Sequence, residues 1–265
     1  MQQWPAEAIW EAVVPWLPGF TVEVLPEIDS TNAELMRRAR AGQLEPVLLV
    51  AEHQTAGRGR LGRAWHSDAA QPGPHADPQA QGSLTFSLGL PLAVREWSGL
   101  SLAVGVSLAQ AIHPHLQLKW PNDLWLAGRK LGGILIETAQ VGAQRYAVVG
   151  VGVNIAPPSA QGLSTPPAWW RELVPDITPP AALQRLVPPL VQALQRFAEQ
   201  GFAAFETDFA QRDALAGCTV RLSDGVDGVA RGVDAHGALR VLTRNGLVLV
   251  NSAEVSVRPL AGTKP

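Results

Sequence analysis

Cysteine is almost absent from this chain of 265 residues, since Cys218 is the only one. A single thiol excludes an intramolecular disulfide framework, a zinc site built from several thiolates and a CxxC redox pair. Cys218 follows Gly217 in an apolar, strand-like stretch, which favours a small buried side chain over a nucleophile. The chemistry of the protein must therefore come from other residue types.

Charged residues and long apolar runs are also scarce. Charged residues make up 17% of the chain and the formal net charge is −2, which argues against a protein that coats nucleic acid or an anionic membrane. No apolar run approaches the roughly 20 residues of a membrane span, and the N-terminus contains Glu7 and Glu11 without the basic start of a signal peptide. We therefore expect a cytoplasmic enzyme or binding protein with an ordinary core.

Positive charge and glycine are concentrated in residues 57–63, which read GRGRLGR. This stretch follows the apolar run of residues 47–51, which we predict to be a buried strand. Glycine lets the backbone approach a ligand closely, and arginine supplies a charged, planar donor fork for carboxylate and phosphate groups. The stretch indicates an anion-binding loop; composition leaves a solvated basic turn or an RNA-binding segment open.

Hydrophobic periodicity predicts an α+β fold in two parts, with domains at residues 1–213 and 214–265. Thr31 and Glu34 are spaced as a capping box at the start of a helix. Pro188 and Pro189 are expected to break a later helical region. We predict strands at residues 22–25, 47–51, 83–90, 116–120, 124–126, 131–138 and 146–155, further helices at 100–112 and 202–212, a surface loop at 68–81, and a small barrel of hairpin-linked strands at 218–222, 228–233, 238–243 and 246–251.

Four further short motifs place polar residues at the ends of these elements. They are STN at residues 30–32, KWPND at 119–123, KLGGIL at 130–135 and VGVNI at 151–155. Taken singly, each has an ordinary structural explanation: Ser30 as a helix cap, Lys119 as a strand-end charge, Asn154 as a turn cap. Trp120 and Trp125 are expected in the core.

In this order the motifs STN, QTAGRGRLGRAW, KWPNDL, KLGGIL and VGVGVNI resemble those of the biotin protein ligases, which biotinylate carrier proteins. The resemblance runs from about residue 22 to 259. It implies a mixed β-sheet catalytic domain with flanking helices, of the class II synthetase and biotin ligase type, followed by a small SH3-like β-barrel. The implied partner is a biotin carboxyl carrier protein or domain of a biotin-dependent carboxylase.

The reaction that this resemblance implies has two steps. The carboxylate of biotin attacks the α-phosphate of ATP and gives biotinyl-5′-AMP and pyrophosphate, with Mg²⁺ bridging ATP phosphates. A lysine of the acceptor then attacks the mixed anhydride and releases AMP. The first step brings two anions together, so cations must offset their repulsion, and the adenylate must be shielded from water.

The resemblance also assigns roles to residues. It places Lys130, Arg60 and Asp123 at the reacting centre, with Lys130 as the main stabiliser of the transition state and Asp123 as a candidate acceptor of the incoming lysine's proton. No side-chain cluster is expected to bind metal directly, apart from a contribution of Asp123. The implied biotin-binding residues are Ser30, Thr31, Asn32, Gln54, Gly57, Arg58, Gly59, Arg60, Lys130, Gly132 and Gly133, and the implied ATP-binding residues are Arg58, Arg60, Arg63, Trp65, Asn122, Asp123, Lys130 and Asn154.

Two stretches depart from the family pattern. Beyond Trp65 the sequence leads into the Ala/Pro/Gln-rich residues 68–81, which we expect to lengthen the lid over the adenylate. Only about twenty residues precede the first strand, too few for a winged helix-turn-helix, so we predict no sequence-specific DNA binding. A homodimer, a related lipoate or octanoate ligase or transferase, and a non-catalytic biotin or nucleotide sensor remain as alternatives.

Overall fold

The structure is a computed structural model that describes residues 3–66, 82–158, 167–223 and 225–251, together with the backbone of 257–259. The loop predicted at residues 68–81 lies outside these ranges. The helices are α1 (Ala6–Val13), α2 (Thr31–Arg40), α3 (Leu100–Ile112), α4 (Pro179–Gln200) and α5 (Glu206–Ala210). The strands are β1 (Thr21–Ile28), β2 (Val47–Gln54), β3 (Ser83–Pro91), β4 (Gln117–Lys119), β5 (Asp123–Leu126), β6 (Arg129–Val141), β7 (Gln144–Asn154), β8 (Thr219–Leu222), β9 (Asp227–Val233), β10 (Leu239–Thr243), β11 (Gly246–Val250) and β12 (Val257–Pro259).

The strands form two sheets. A seven-stranded sheet has the order β1-β2-β3-β7-β6-β5-β4, in which β1 and β2 run parallel and the other described neighbours run antiparallel. A five-stranded antiparallel sheet has the order β11-β10-β9-β8-β12. This architecture confirms the predicted α+β fold with a β-rich C-terminal part. No helix in the described ranges has the length and apolarity needed to cross a membrane.

Helices cover both faces of the larger sheet. Alternate residues of a strand point to opposite faces. Accordingly Leu48 and Val50 of β2 pack in the core with α1, α3 and α4, whereas Val47 and Leu49 pack with Leu35 and other apolar residues of α2. Because β1 and β2 run parallel, with Ile28 paired to Gln54, the start of α2 lies at the same sheet edge as the end of β2, and the STN residues therefore lie beside the Gly/Arg loop.

Two local expectations were wrong. Ser30, not Thr31, caps α2: its hydroxyl oxygen accepts the Ala33 N–H at 3.4 Å, while Glu34 pairs with Arg37 and Arg38 instead of closing a capping box. In addition, α4 continues through both prolines. The prolines remove backbone hydrogen bonds, but the helix buries a long apolar stripe against the sheet and α3, and this packing outweighs the local cost. The stripe consists of Leu183, Leu186, Val187, Leu190, Val191, Leu194 and Phe197.

The smaller sheet is attached directly to the start of the KWPND motif. The indole N–H of the buried Trp120 donates to the Gly237 carbonyl at 3.0 Å. Nearby, the Ser98 hydroxyl donates to the His236 carbonyl at 2.6 Å, and the His236 ring lies 3.0 Å from a Glu96 carboxylate oxygen. The turn between β9 and β10 therefore supports the strand end that carries Asn122 and Asp123.

Asp213, which lies between the two sheets, is expected to make folding stability fall as pH rises. Burial raises its pKa to about 6 although its carboxylate accepts the Leu215 N–H at 2.8 Å. The folded state thus holds the proton more tightly than the unfolded chain does. The associated stability is fully present below about pH 4 and is lost as pH rises through about 6, and it amounts to no more than about 3 kcal/mol.

In Asp213→Asn the free energy of unfolding should depend less on pH, because the amide oxygen keeps the Leu215 contact without ionising. Urea unfolding between pH 4 and pH 7 measures the effect, with Asp176→Asn at an exposed position as the control. If the free energy of unfolding changed with pH as much in Asp213→Asn as in the unmodified chain, the carboxyl would not be buried in its neutral form.

Candidate active site

The Gly/Arg loop closes on itself at the end of β2. The Trp65 N–H donates to the Gly57 carbonyl at 2.9 Å, and the Gly59 N–H donates to the Arg63 carbonyl at 2.7 Å. Arg58 and Ala64 form an isolated antiparallel bridge inside this closure. The loop is therefore a folded hairpin that holds its side chains in place, unlike an extended RG segment.

Arg60 is the loop arginine that reaches the strand ends. Its guanidinium lies 3.4 Å from the Asn122 amide oxygen, and burial lowers its pKa while the charge of Asp123 raises it. The guanidinium remains charged, since an arginine cannot be deprotonated in proteins. Asn122 is itself held on β6, donating to the Ile134 carbonyl at 2.7 Å and accepting the Ile134 N–H on its own carbonyl at 3.0 Å.

Lys130 and Asp123 form the centre of the cationic cluster. The Lys130 ammonium lies 2.7 Å from one Asp123 carboxylate oxygen, and the Lys119 ammonium lies 3.9 Å from the other. Lys119 also sits over the Trp125 ring at 4.9 Å from its centroid. The β5–β6 pairing sets Asp123 opposite Gly133, where an added methyl group would lie 3.2 Å from the Lys130 ammonium, so the glycine makes room for the ion pair. Three cations thus gather around one carboxylate.

The other two loop arginines lie outside this cluster. Arg58 and Arg63 are exposed. Arg63 is close enough to Arg60 to lower its pKa. Arg58 contributes, well behind the Arg37 hydrogen bond, to lowering the pKa of Asp29 to about 2. Arg58 therefore lies towards the start of α2 and Arg63 towards the cations.

Trp65 lies across the surface of β7. A methyl group at Gly152 would approach the indole Cε2 and Cζ2 atoms to 2.5 and 2.6 Å, so only glycine allows this contact. The indole N–H is buried and has no hydrogen-bond partner among the described residues. Buried donors are normally satisfied, so this indole is an exception among the buried polar groups of the site.

The biotin-side residues of the predicted site form a buried polar group. The Thr31 N–H donates to the Gln54 amide oxygen at 2.7 Å, and the Thr31 hydroxyl lies 2.7 Å from the Ser87 hydroxyl. Ser30, Thr31, Asn32 and Gln54 are all buried. Gln54 also adjoins Gly57, so this group and the Gly/Arg loop share one wall.

Comparison with known proteins matches both parts of the chain. The Biotin/lipoate A/B protein ligase family matches residues 78–154, and the Biotin protein ligase C terminal domain matches residues 217–258. The biotin–[acetyl-CoA-carboxylase] ligase of Mycobacterium tuberculosis is 34% identical over 253 residues, which cover 88% of this chain and 88% of that protein. The chain belongs to the biotin protein ligase family.

Two further relatives agree with this membership. The bifunctional ligase/repressor BirA of Escherichia coli is 32% identical over 243 residues, which cover 88% of this chain and 72% of BirA. The biotin protein ligase of Aquifex aeolicus, solved in complex with biotin and ATP, is similar with a TM-score of 0.74 and 26% identity over 90% of this chain and 99% of that one. The resemblance and fold expected from the motifs are thereby confirmed.

A segment that holds Lys130 and Asn154 in place was not predicted from the motifs. The strap, defined as residues 167–172, crosses the ends of β6 and β7. The Ala168 N–H donates to the Lys130 carbonyl at 2.8 Å, and the Asn154 amide donates to the Ala168 carbonyl at 2.9 Å. Arg129 holds the strap through hydrogen bonds to both Glu172 carboxylate oxygens and a stacking contact with the Trp169 ring, 5.8 Å from its centroid.

Loosening the strap is expected to weaken ATP binding. Arg129→Met removes the bidentate ion pair while keeping an apolar stem, so Lys130 and Asn154 lose a fixed neighbour. We expect the KM for ATP to rise about three- to tenfold, with a smaller change in the KM for biotin. Steady-state kinetics measures this, and Arg240→Met, exposed on β10, is the control. Glu172→Gln should give a similar change and add little to Arg129→Met; full additivity would mean that the two residues do not act together.

Several residues of this site carry no motif signal. Ser87, Arg129, Glu137 and Glu172 join it only through the sheet register and the strap. Ser87 lies on the polar face of the predicted strand β3, and this alternation does not indicate the burial that Ser87 has in the structure. No periodicity connects it to Asn32, 55 positions away.

Proposed function

We propose that the chain is an ATP-dependent biotin protein ligase that activates biotin as biotinyl-5′-AMP and transfers it to a lysine of a carrier protein. The observation that carries this proposal is the gathering of Lys130, Lys119 and Arg60 around Asp123, next to the buried polar group of Thr31 and Gln54. Biotin has a carboxylate joined to a neutral polar ring. The cations can attract its carboxylate, and the neighbouring polar group can form hydrogen bonds with its ring. Family membership supports the same reaction.

In the first step, a carboxylate oxygen of biotin attacks the α-phosphorus of ATP, and the bond to the bridging oxygen of pyrophosphate breaks. Negative charge increases on the phosphoryl oxygens in the transition state, where fixed cations act most strongly. Lys130 and Arg60 are assigned to that charge, with Arg63 and Arg58 contributing from the loop. Trp65, Asn122 and Asn154 are assigned to the nucleotide, whereas Gly132 and Gly133 let β6 approach the biotin ring.

In the second step, the amine of the acceptor lysine attacks the acyl carbon, the acyl–phosphate bond breaks, AMP leaves, and the nitrogen loses a proton. Asp123 is the proposed acceptor of that proton. Its contact with Lys130 gives it a second role, which is to hold the ammonium at the reacting centre. The two roles act on different steps and can be separated by experiment.

The described side chains do not fit a metal site held by the protein alone. Among them, no three His, Cys, Asp or Glu groups are close enough to bind an ion together. Asp123 faces two ammonium groups, and Asn122 faces Arg60. Mg²⁺ would therefore arrive with the phosphates of ATP, and a direct contribution of Asp123 is disfavoured.

The acceptor and the arrangement of the chain complete the proposal. The acceptor is a biotin carboxyl carrier protein or domain of a carboxylase, and the enzyme works in the cytoplasm without binding DNA. We also propose domains at residues 1–213 and 214–265, supported by the family match that begins at 217 and by β8, which begins at Thr219.

Incubation with ATP, Mg²⁺, biotin and an isolated carrier domain tests the function. Mass spectrometry should find one biotin added to one carrier lysine, with AMP and pyrophosphate released. Parallel reactions use lipoate and octanoate, since the matched family also includes lipoate ligases. Transfer of lipoate without transfer of biotin would overturn the proposal, and binding of biotin without any transfer would indicate a sensor.

A further inference from the structure

A continuous row of polar side chains runs through the interior from β6 to the Gly/Arg loop. The Asn32 amide nitrogen lies 2.9 Å from a Glu137 carboxylate oxygen, and the Asn32 amide oxygen lies 2.6 Å from the Ser87 hydroxyl. The Ser87 hydroxyl lies 2.7 Å from that of Thr31, which in turn is 3.1 Å from the Gln54 amide oxygen. Five side chains from four different elements are thus joined.

The row is closely packed. Ser87 is fully buried, and Thr31 and Asn32 are 3% and 4% exposed. A methyl group at Gly150 would lie 2.0 Å from the Asn32 amide oxygen, so β7 leaves no room for a water molecule on that side. Buried polar groups are costly unless each hydrogen bond is made. The hydrogens in the row must therefore be ordered.

Chemistry determines the orientation of Asn32. Its amide nitrogen faces the Glu137 carboxylate and, at 3.2 Å, the Leu135 carbonyl. A carboxylate and a carbonyl only accept hydrogen bonds, so the nitrogen with its two hydrogens must occupy that side. The Asn32 oxygen consequently faces Ser87, and the Ser87 hydroxyl must donate to it.

The same reasoning fixes the direction of the Thr31 hydroxyl hydrogen. Ser87 has one hydroxyl hydrogen and has used it on Asn32, so the 2.7 Å contact between the two hydroxyls requires the hydrogen of Thr31. The Gln54 oxygen already accepts the Thr31 N–H. The Thr31 hydroxyl is also within donating distance of the Gln54 oxygen, at 3.1 Å, but its one hydrogen is used on Ser87, so neither of these two oxygens supplies a hydrogen to the other. A ligand N–H placed between them would satisfy both.

We propose that Glu137 and Ser87 are positioning residues that set the hydrogen-bonding polarity of the biotin pocket, so that Thr31 and Gln54 together accept a ureido N–H. This inference rests on the proposed function. Neither residue needs to touch the ligand. Glu137 acts because its carboxylate can only accept, and Ser87 transmits that constraint to Thr31.

Reversing the polarity at Glu137 provides the test. In Glu137→Lys, the ammonium can only donate, which favours an Asn32 amide turned by half a rotation. Ser87 then donates to Thr31, and the Thr31 hydroxyl donates to the Gln54 oxygen. The oxygens of Thr31 and Gln54 therefore no longer accept a ligand N–H together. Ser87→Ala reaches the same end by another route, since it releases the Thr31 hydrogen. Glu137→Gln can still present an amide oxygen to Asn32 and is the conservative rescue.

The experiment measures biotin binding to the full chain by calorimetry, and the KM for biotin and ATP separately. We expect Glu137→Lys and Ser87→Ala each to weaken biotin binding by about tenfold or more, with the KM for ATP changed by less than about twofold, and Glu137→Gln to recover most of the affinity. Glu199→Lys, exposed at the end of α4, controls for the change of charge. Thermal unfolding identifies any variant that does not fold, and Ser87→Ala then replaces Glu137→Lys.

A biotin analogue methylated on the ureido nitrogens has no N–H to donate. It therefore distinguishes the loss of this hydrogen bond from a general loss of binding. It should bind the unmodified chain much more weakly than biotin does, whereas the two ligands should differ far less in Glu137→Lys. Biotin binding in Glu137→Lys equal to that in Glu199→Lys, or equal loss for both ligands, would overturn the inference. If the unmodified chain binds no biotin, the proposed function fails, and this inference fails with it.

Discussion

Replacing Lys130 with methionine is expected to slow formation of biotinyl-AMP by about a hundredfold to a thousandfold, the effect of removing one fixed charge from a developing oxyanion. Methionine keeps the apolar stem, so folding should change little. The ammonium is partly exposed and is held 2.7 Å from Asp123, next to Gly133. Pyrophosphate release in single-turnover conditions measures this step directly.

Lys119→Met is the matched comparison, because the same charge is removed 3.9 Å from the same carboxylate. Its ammonium lies over the Trp125 ring and its side chain is 16% exposed, against 45% for Lys130, so it is less accessible to a ligand, and we expect a loss of about tenfold or less. If Lys130→Met retained more than a tenth of the first-step rate, or if Lys119→Met were the more damaging change, Lys130 would not be the principal cation.

Asp123→Asn distinguishes the two roles of the carboxylate. Loss of the ion pair with Lys130 would slow the first step, whereas loss of a proton acceptor would slow only transfer from preformed biotinyl-AMP. Supplying purified biotinyl-AMP and a carrier domain isolates the transfer. A variant that transfers biotin at the full rate would refute the role of Asp123 as a base and leave only its role in holding Lys130.

Gly152→Ala is expected to raise the KM for ATP by about tenfold to a hundredfold while leaving the protein folded. The added methyl group would meet the Trp65 indole at 2.5 Å. Overpacking of this kind costs about 1–3 kcal/mol, and the indole stands on a loop outside the sheet, whereas β7 is paired on both sides. The clash should therefore displace Trp65 from the nucleotide side of the site.

A double substitution shows whether the indole is the cause. Trp65→Ala alone should raise the KM for ATP, and adding Gly152→Ala in that background should have no further effect, because the group that clashes is gone. A further rise in the double variant would place the damage in β7 itself. Thermal unfolding of all three variants checks that the comparison is made between folded proteins.

Local patterns determined much of this protein. Helix α3 was predicted at residues 100–112, the bounds it has in the structure, because an apolar stretch between loop residues leaves few alternatives. Most strands were found within two or three residues of their bounds, since alternation marks them along a single stretch of chain. The five motifs, read in order, were enough to indicate the family, because several independent sites rarely match one family by chance.

Only the tertiary structure decided which of these residues meet. The order β1-β2-β3-β7-β6-β5-β4 brings Asp123 beside Lys130, and it places Glu137 and Ser87 on either side of Asn32. The continuous helix α4 also went against a local rule, because its packing outweighed the cost of the two prolines. Periodicity shows which face of a strand is buried, but contacts between distant residues depend on strand register and on packing between elements, and neither can be read from a local stretch of sequence.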